Sequence, residues 1–134
     1  MRIVLDTNVL VSAALKRNST PAAAVRVVEE HYVLLKSTVT QRQLFDVVGR
    51  PYFTPLIGED TRIWLQKLMA TAVLIEVVER IAACRDPTDD KFLELAVNGG
   101  ADLIVSGDAN LLELHPFRGI PVITPAAFIE QTRR

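Results

Sequence analysis

The sequence predicts an α/β domain of three layers, in which helices flank a mainly parallel sheet of about five strands. Short, β-favouring apolar runs alternate along the chain with longer amphipathic segments, which is the pattern of strand–helix–strand units. The chain has 134 residues, and no repeat, low-complexity segment or linker divides it. We therefore expect a single domain over residues 1–134.

The first half of the chain provides two of these strands and four helices. The first apolar run ends at an acid, Asp6, and is followed by an apolar segment rich in small side chains. Pro21 stands where the first turn of the second helix begins, and Gly49 with Pro51 ends the third helix. Strands are predicted at residues 3–5 and 32–35, and helices at residues 8–15, 21–30, 37–48 and 59–72.

The second half contains the strongest helix-start pattern of the sequence. Asp86 is a capping residue, Pro87 occupies the first helical position, and Asp89 places an acid in the first turn. The double glycine at 99–100 ends this helix. Strands are predicted at residues 73–78, 103–105 and 121–124, and a closing helix at residues 125–132. The unbroken apolar character of 103–105 indicates a strand buried on both faces.

Composition argues against several classes of protein. The 15 basic and 16 acidic side chains nearly cancel, giving a formal net charge of −1, which disfavours a strongly basic, non-specific nucleic-acid binder. The single cysteine, Cys84, cannot form an internal disulfide. No apolar run approaches the ~20 residues that a helix needs to cross a bilayer. We expect a soluble, cytoplasmic protein with no membrane partner.

Acidic side chains fall at places that a parallel sheet brings together. Asp6 follows the first strand, Asp108 follows the fourth, and Asp86, Asp89 and Asp90 crowd one helix start. Open parallel sheets bind ligands beyond the carboxyl ends of their strands. Carboxylates that lie close together repel unless a cation neutralises them, and Mg²⁺ or Mn²⁺ suits such oxygen ligands and substrate phosphates. The pattern favours a metal-dependent phosphoryl site.

Each acid also has a structural interpretation. Asp86 is accounted for as a helix cap, Asp89 as an acid beside the helix dipole, and Asp108 as a turn residue after Gly107. Asp6 is harder to explain in this way, because an acid that ends a buried strand costs stability unless it is bonded. The functional interpretation therefore depends on the whole set.

The order of several short motifs resembles that of the PIN domain family. The motifs cover nearly the whole chain and are, in order, Asp6-Thr7-Asn8-Val9-Leu10, Arg50-Pro51, Arg85-Asp86-Pro87-Thr88-Asp89-Asp90, Gly100-Ala101-Asp102, Ser106-Gly107-Asp108 and Ile123-Thr124-Pro125. The sequence is most similar to the bacterial, VapC-like branch, which contains toxin components of toxin–antitoxin pairs.

The resemblance implies a strand order of 3-2-1-4-5 and a ribonuclease that depends on Mg²⁺ or Mn²⁺. It also implies an RNA substrate, a cognate antitoxin protein as partner, and a homodimer. The metal-binding and catalytic acids that carry over are Asp6, Asp108 and one of the Asp89–Asp90 pair; the register leaves both members of the pair open. Asn8 and Ser106 match positions of polar groups that orient such acids.

One position departs from the family pattern. The family places a metal-binding Glu on the central helix, seven residues before Arg50, and this chain has Gln43 there. The amide offers an oxygen without a negative charge, which predicts weakened activity and gives Gln43 a supporting place beside the acids. Asp46 shares its helix face, although a solvated surface acid is the more ordinary interpretation.

Two other functions have to be weighed. A PIN-like domain that binds RNA or an antitoxin without cleaving is favoured by Gln43. An aspartyl-phosphate protein requires a second acid soon after the first, or an N-terminal acid pair with a late lysine. Here Thr7 and Asn8 follow Asp6, and no lysine occurs beyond Lys91. The order of residues therefore argues against the aspartyl-phosphate alternative.

Overall fold

The computed structural model describes residues 1–133 and contains a five-stranded sheet. The strands are β1 (Arg2–Leu5), β2 (Val33–Lys36), β3 (Val73–Leu74), β4 (Leu103–Val105) and β5 (Val122–Ile123). They lie in the order β3-β2-β1-β4-β5, and every neighbouring pair is parallel. The predicted α/β class and the 3-2-1-4-5 order are confirmed.

Helices cover both faces of this sheet. They are α1 (Thr7–Leu15), α2 (Thr20–His31), α3 (Thr38–Val48), α4 (Glu59–Thr71), α5 (Asp90–Gly99), α6 (Ala109–Leu112) and α7 (Pro125–Thr132). A short 3₁₀ turn at Pro87–Asp89 precedes α5. Among residues 1–133, no helix has the length and apolar character that crossing a membrane requires.

Two apolar clusters, one on each face of the sheet, form the core. The alternation of side chains along a strand divides β1 and β4 between them: Ile3 and Leu5 join the cluster formed with α1, α2, α3, α4 and α7, whereas Val4 and Ile104 join the cluster of α5 and α6. All three residues of β4 are buried. The prediction of a strand buried on both faces is therefore correct for 103–105.

The largest differences from the predicted boundaries are at the end of β3 and at the start of α5, and the other boundaries shift by at most one or two residues. β3 ends at Leu74, although the apolar run continues to Val78. The Asn98 side-chain oxygen on α5 accepts hydrogen bonds from the backbone N–H groups of Val78 and Glu79, at 3.0 and 2.9 Å. These bonds hold the segment against α5 and away from the sheet edge.

The second difference concerns the start of α5. Asp86 acts as a cap, as predicted, but it caps the 3₁₀ turn, and the α-helix begins only at Asp90. The helix ends as predicted, because Gly100 adopts a left-handed conformation (φ 61°) that favours glycine. The sequence does not predict α6, since its four residues are too few to show a helical period.

Candidate active site

The parallel strands place the candidate acids at one edge of the sheet. Asp6 follows β1 and caps α1, and its side chain is only 2% exposed. Its Oδ1 accepts a hydrogen bond from the backbone N–H of Asn8 at 3.1 Å, and its Oδ2 accepts one from the Ser106 hydroxyl at 2.6 Å. These two hydrogen bonds offset the free-energy cost of burying the acid and fix the orientation of its carboxylate.

Ser106 connects the ends of two neighbouring strands. It is fully buried beyond β4. While its hydroxyl donates to Asp6, its oxygen accepts a hydrogen bond from the backbone N–H of Asp108 at 2.9 Å. Asp108 in turn caps α6 by accepting the N–H of Asn110 at 2.8 Å. One hydroxyl therefore ties the position of one acid to the backbone of another.

Asp89 has a buried carboxyl oxygen with no partner. Asp86 caps the turn by accepting hydrogen bonds from the N–H and hydroxyl of Thr88, so Asp89 is not needed as a cap. Its Oδ2 is buried and meets no hydrogen-bond donor within residues 1–133. The pKa of Asp89 is raised to about 6, with burial as the largest cause. Asp108 contributes as a negative charge and as an acceptor for protonated Asp89, and the charges of Asp86 and Asp6 contribute further.

Asp90 is bonded to a different part of the chain. Its Oδ1 accepts hydrogen bonds from the backbone N–H groups of Ala83 and Cys84, at 3.0 and 2.8 Å. Burial opposes ionisation of Asp90, but these donors outweigh it and hold the pKa below its usual value. Asp90 thus fixes the segment before the turn, and Asp89 is the member of the pair whose charge is coupled to Asp6 and Asp108.

The electrostatics of Asp6 reflect its crowded position. Burial is the largest cause that raises its pKa, and the Asp108 charge raises it further. The hydrogen bonds from Ser106 and Asn8 act in the opposite direction, as does the positive charge of Lys91. The fold therefore disfavours the ionised forms of both Asp6 and Asp89. A bound cation would stabilise these ionised forms.

Gln43 contacts the residue that follows the first of these acids. The hydroxyl of Thr7 donates a hydrogen bond to Gln43 Oε1 at 2.7 Å, and Thr7 directly follows Asp6. Asp46, one turn further along α3, is exposed. The structure therefore places Gln43 against the segment that carries Asp6 and leaves Asp46 with the solvated role that was its ordinary interpretation.

The residues fit a divalent cation that keeps much of its water shell. Within residues 1–133, no three acidic, histidine or cysteine side chains converge closely enough to hold a metal ion by themselves. Mg²⁺ commonly uses only one or two carboxylates together with waters and substrate phosphates. The unpartnered Oδ2 of Asp89 supplies an oxygen of the required kind.

Two residues of the candidate site carry no distinct signal in the sequence. Thr7 is one residue of a longer motif, yet its hydroxyl joins α1 to Gln43. Lys91 is the last lysine of the chain, and its charge acts on both Asp6 and Asp86. Of the two predicted orienting groups, Ser106 bonds Asp6 through its side chain, whereas Asn8 does so through its backbone N–H.

Cys84 does not supply an alternative nucleophile. Burial, followed by the hydrogen bond and charge of Asp90, raises the pKa of its thiol to about 12. The reactive thiolate is therefore almost absent at neutral pH. Cys84 is therefore not a candidate nucleophile of this site.

The metal-free protein is expected to lose stability as the pH rises. The pKa of Asp89 is 3.8 without perturbation and about 6 in the folded protein, so the folded state binds more protons between these values and its stability falls as the pH rises from about 4 to about 6. Thermal melts in EDTA should show this fall for the wild type and a smaller fall for Asp89→Asn. Adding Mn²⁺ should raise the melting temperature at pH 7.5 more than at pH 5. Equal shifts at the two pH values would contradict the assignment of Asp89 as a cation-binding acid.

Comparison with known proteins agrees with this geometry. A family model described as PIN domain matches residues 2–110. The uncharacterized protein MJ1680 of Methanocaldococcus jannaschii is 28% identical, over 98% of this chain and 91% of its own length.

Two solved structures share the fold. One is VapBC2 from Rickettsia felis bound to a DNA fragment from its promoter (TM-score 0.61, 13% identity, 92% of this chain and 98% of that one). The other is PAE2754 from Pyrobaculum aerophilum (TM-score 0.64, 14% identity, 100% of this chain and 91% of that one). The chain belongs to the PIN domain family, whose members are generally nucleases.

Proposed function

We propose that this protein is a ribonuclease that hydrolyses phosphodiester bonds of RNA with the help of Mg²⁺ or Mn²⁺. The observation that carries the proposal is the electrostatic coupling of Asp6, Asp89 and Asp108 beyond the ends of β1 and β4, with a buried, unpartnered oxygen on Asp89 and raised pKa values for Asp6 and Asp89. Perturbed carboxylates gathered in this way are typical of functional sites.

Each residue has a separate task in this proposal. A divalent cation would supply activation of a water and neutralisation of charge at the scissile phosphate. Asp6, Asp89 and Asp108 would hold the cation, directly or through waters. Ser106 keeps Asp6 in one orientation through its 2.6 Å hydrogen bond, and Asp90 holds the 83–84 segment behind the turn that carries Asp89.

The proposal is tested by incubating the purified protein with single-stranded RNA and Mn²⁺ or Mg²⁺. We expect weak cleavage with Mn²⁺ that Asp6→Asn abolishes. The melting temperature of Asp6→Asn should change little, because the amide oxygen can accept a hydrogen bond and ionised Asp6 is already disfavoured in the fold. Asp46→Asn is the matched control, since Asp46 is exposed and its loss should not affect cleavage.

Two results would contradict the assignment of Asp6. Undiminished cleavage by Asp6→Asn would mean that the activity lies elsewhere or in a contaminant. Extensive unfolding of Asp6→Asn would make Asp6 a structural residue.

A second candidate function is an RNA- or antitoxin-binding module that does not cleave. The specific observation in its favour is Gln43, which supplies no negative charge where the family has a Glu. RNA binding without cleavage, with either Mn²⁺ or Mg²⁺ and by both the wild type and Gln43→Glu, would favour this alternative over the nuclease.

We further propose that the protein is a cytoplasmic toxin of a type II toxin–antitoxin pair and forms a homodimer. The resemblance of its motifs to the VapC-like branch supports this, and the Rickettsia felis VapBC2 complex is an example of the same fold in such a pair. A short reading frame beside the gene, in the same operon, is expected for the antitoxin. Its absence would count against the toxin role.

A further inference from the structure

An open cleft of about 440 Å³ is lined by Asp108 on one side, and its other lining residues have no part in holding the proposed cation. Its walls come from α1, from the first residues of α2 and α7, and from Gly107 beyond β4. The cleft shares Asn8 and Asp108 with the acidic edge of the sheet, so a group seated in it would lie next to the proposed reaction centre. Its volume falls within the ~300–1,000 Å³ of typical small-molecule sites.

The lining of this cleft is mostly apolar with a few polar groups. Val9, Pro21, Pro125 and Ala126 contribute apolar surface. The polar side chains are those of Asn8, Ser12 and Thr20, all of which are exposed, and Thr124, which caps α7 through its hydroxyl. Such a combination binds a flat, largely apolar group and leaves hydrogen-bonding groups to recognise its edge.

The charge of the cleft restricts what it can bind. Among the described residues that line it, Asp108 is the only charged one, and none is a lysine or arginine. A cation held at the acidic edge would serve a phosphate only next to Asp108, and the rest of the lining offers a phosphate no positive charge. A neutral, planar base needs no such charge and presents donors and acceptors at its edge.

We propose that this cleft binds one nucleobase of the RNA substrate, next to the phosphodiester that is cut, and that Asn8, Ser12 and Thr20 determine which base is accepted. The inference rests on the proposed ribonuclease function and adds a specificity site to it. It predicts a base preference at one position beside the cleavage site.

Binding is tested first, without metal and without cleavage. The four ribonucleoside 5′-monophosphates are titrated into the ¹⁵N-labelled protein in EDTA, and the amide resonances of Ser12 and Ala126 are followed; ribose 5-phosphate, which lacks a base, is the control ligand. We expect at least one nucleotide to shift both resonances and ribose 5-phosphate to shift neither. Ser12→Leu, which fills the cleft from an exposed helical position, should weaken this binding about tenfold or more.

Specificity is tested by sequencing the products of a randomised single-stranded RNA cut with Mn²⁺. Ser12→Leu should reduce the base preference at one position beside the cut. Gln66→Leu, which places the same side chain at an exposed position of α4, should leave both the preference and nucleotide binding unchanged.

The outcomes separate this inference from the proposed function. Cleavage with a base preference that Ser12→Leu leaves intact would overturn the inference and leave the ribonuclease standing. Nucleotide binding in the cleft without any cleavage would support the inference and count against the ribonuclease. If no nucleotide shifts either resonance, the proposal is wrong, and an apolar side chain of a protein partner becomes the better candidate for this cleft.

Discussion

Asp89→Asn is expected to abolish Mn²⁺-dependent cleavage while making the metal-free protein more stable at pH 7.5. The pKa of about 6 means that the fold disfavours the ionised form of Asp89. Because the side chain is partly exposed, we discount the full shift and expect a gain of about 1 kcal/mol. For a domain of this size this corresponds to about 3–5 °C in the melting temperature. Melts in EDTA and a cleavage assay measure the two effects.

Asp90→Asn is the matched control for this prediction, because it makes the same chemical change at the adjacent residue. Asp90 accepts two backbone hydrogen bonds as a carboxylate, and an amide oxygen accepts them more weakly. We expect a loss of about 1–2 kcal/mol and a melting temperature below that of the wild type, with cleavage retained at a temperature where the variant is folded. Loss of cleavage on Asp90→Asn together with retention on Asp89→Asn would reverse the assignment.

The contrast between Asp89 and Asp90 shows which features of the structure can be predicted from the sequence and which cannot. The alternation of apolar runs with amphipathic segments predicts the α/β class, because the strands of a parallel sheet are buried and therefore consist of apolar residues that can be recognised in the sequence. The choice between Asp89 and Asp90 depends instead on a 3₁₀ turn that delays the start of α5. That turn rotates one acid towards Asp108 and leaves the other to the 83–84 backbone, and no periodic pattern reports such a local rotation.

The arrangement of the candidate site could be predicted only in part from the sequence. Asp6 and Asp108 follow from their places at strand ends, since the carboxyl ends of parallel strands share an edge. The hydrogen bond that joins Ser106 to Asp6 spans two strands that are distant in the sequence. Its existence depends on the register of β1 against β4, which only the folded chain provides. The cleft beside Asp108 likewise requires three helices to be placed together.

Gln43→Glu is expected to strengthen both metal binding and catalysis. Gln43 Oε1 accepts a 2.7 Å hydrogen bond from Thr7, and a glutamate oxygen can accept the same bond, so the side chain should keep its position. The substitution adds one negative charge near Asp6. We expect Mn²⁺ to bind about tenfold more tightly or better, equivalent to about 1.4 kcal/mol, and RNA cleavage to accelerate by a similar factor. Titration calorimetry and initial rates measure these quantities.

The same change should cost stability when no cation is present. A further carboxylate beside ionised Asp6 adds repulsion, which we expect to lower the free energy of unfolding by about 1 kcal/mol in EDTA. Mn²⁺ should more than restore it. Gln66→Glu adds an equal charge to the exposed face of α4 and should change neither metal affinity nor rate. If Gln43→Glu behaves like Gln66→Glu in metal affinity, cleavage rate and stability, Gln43 does not contribute to the metal site, and the expectation of weakened activity is wrong.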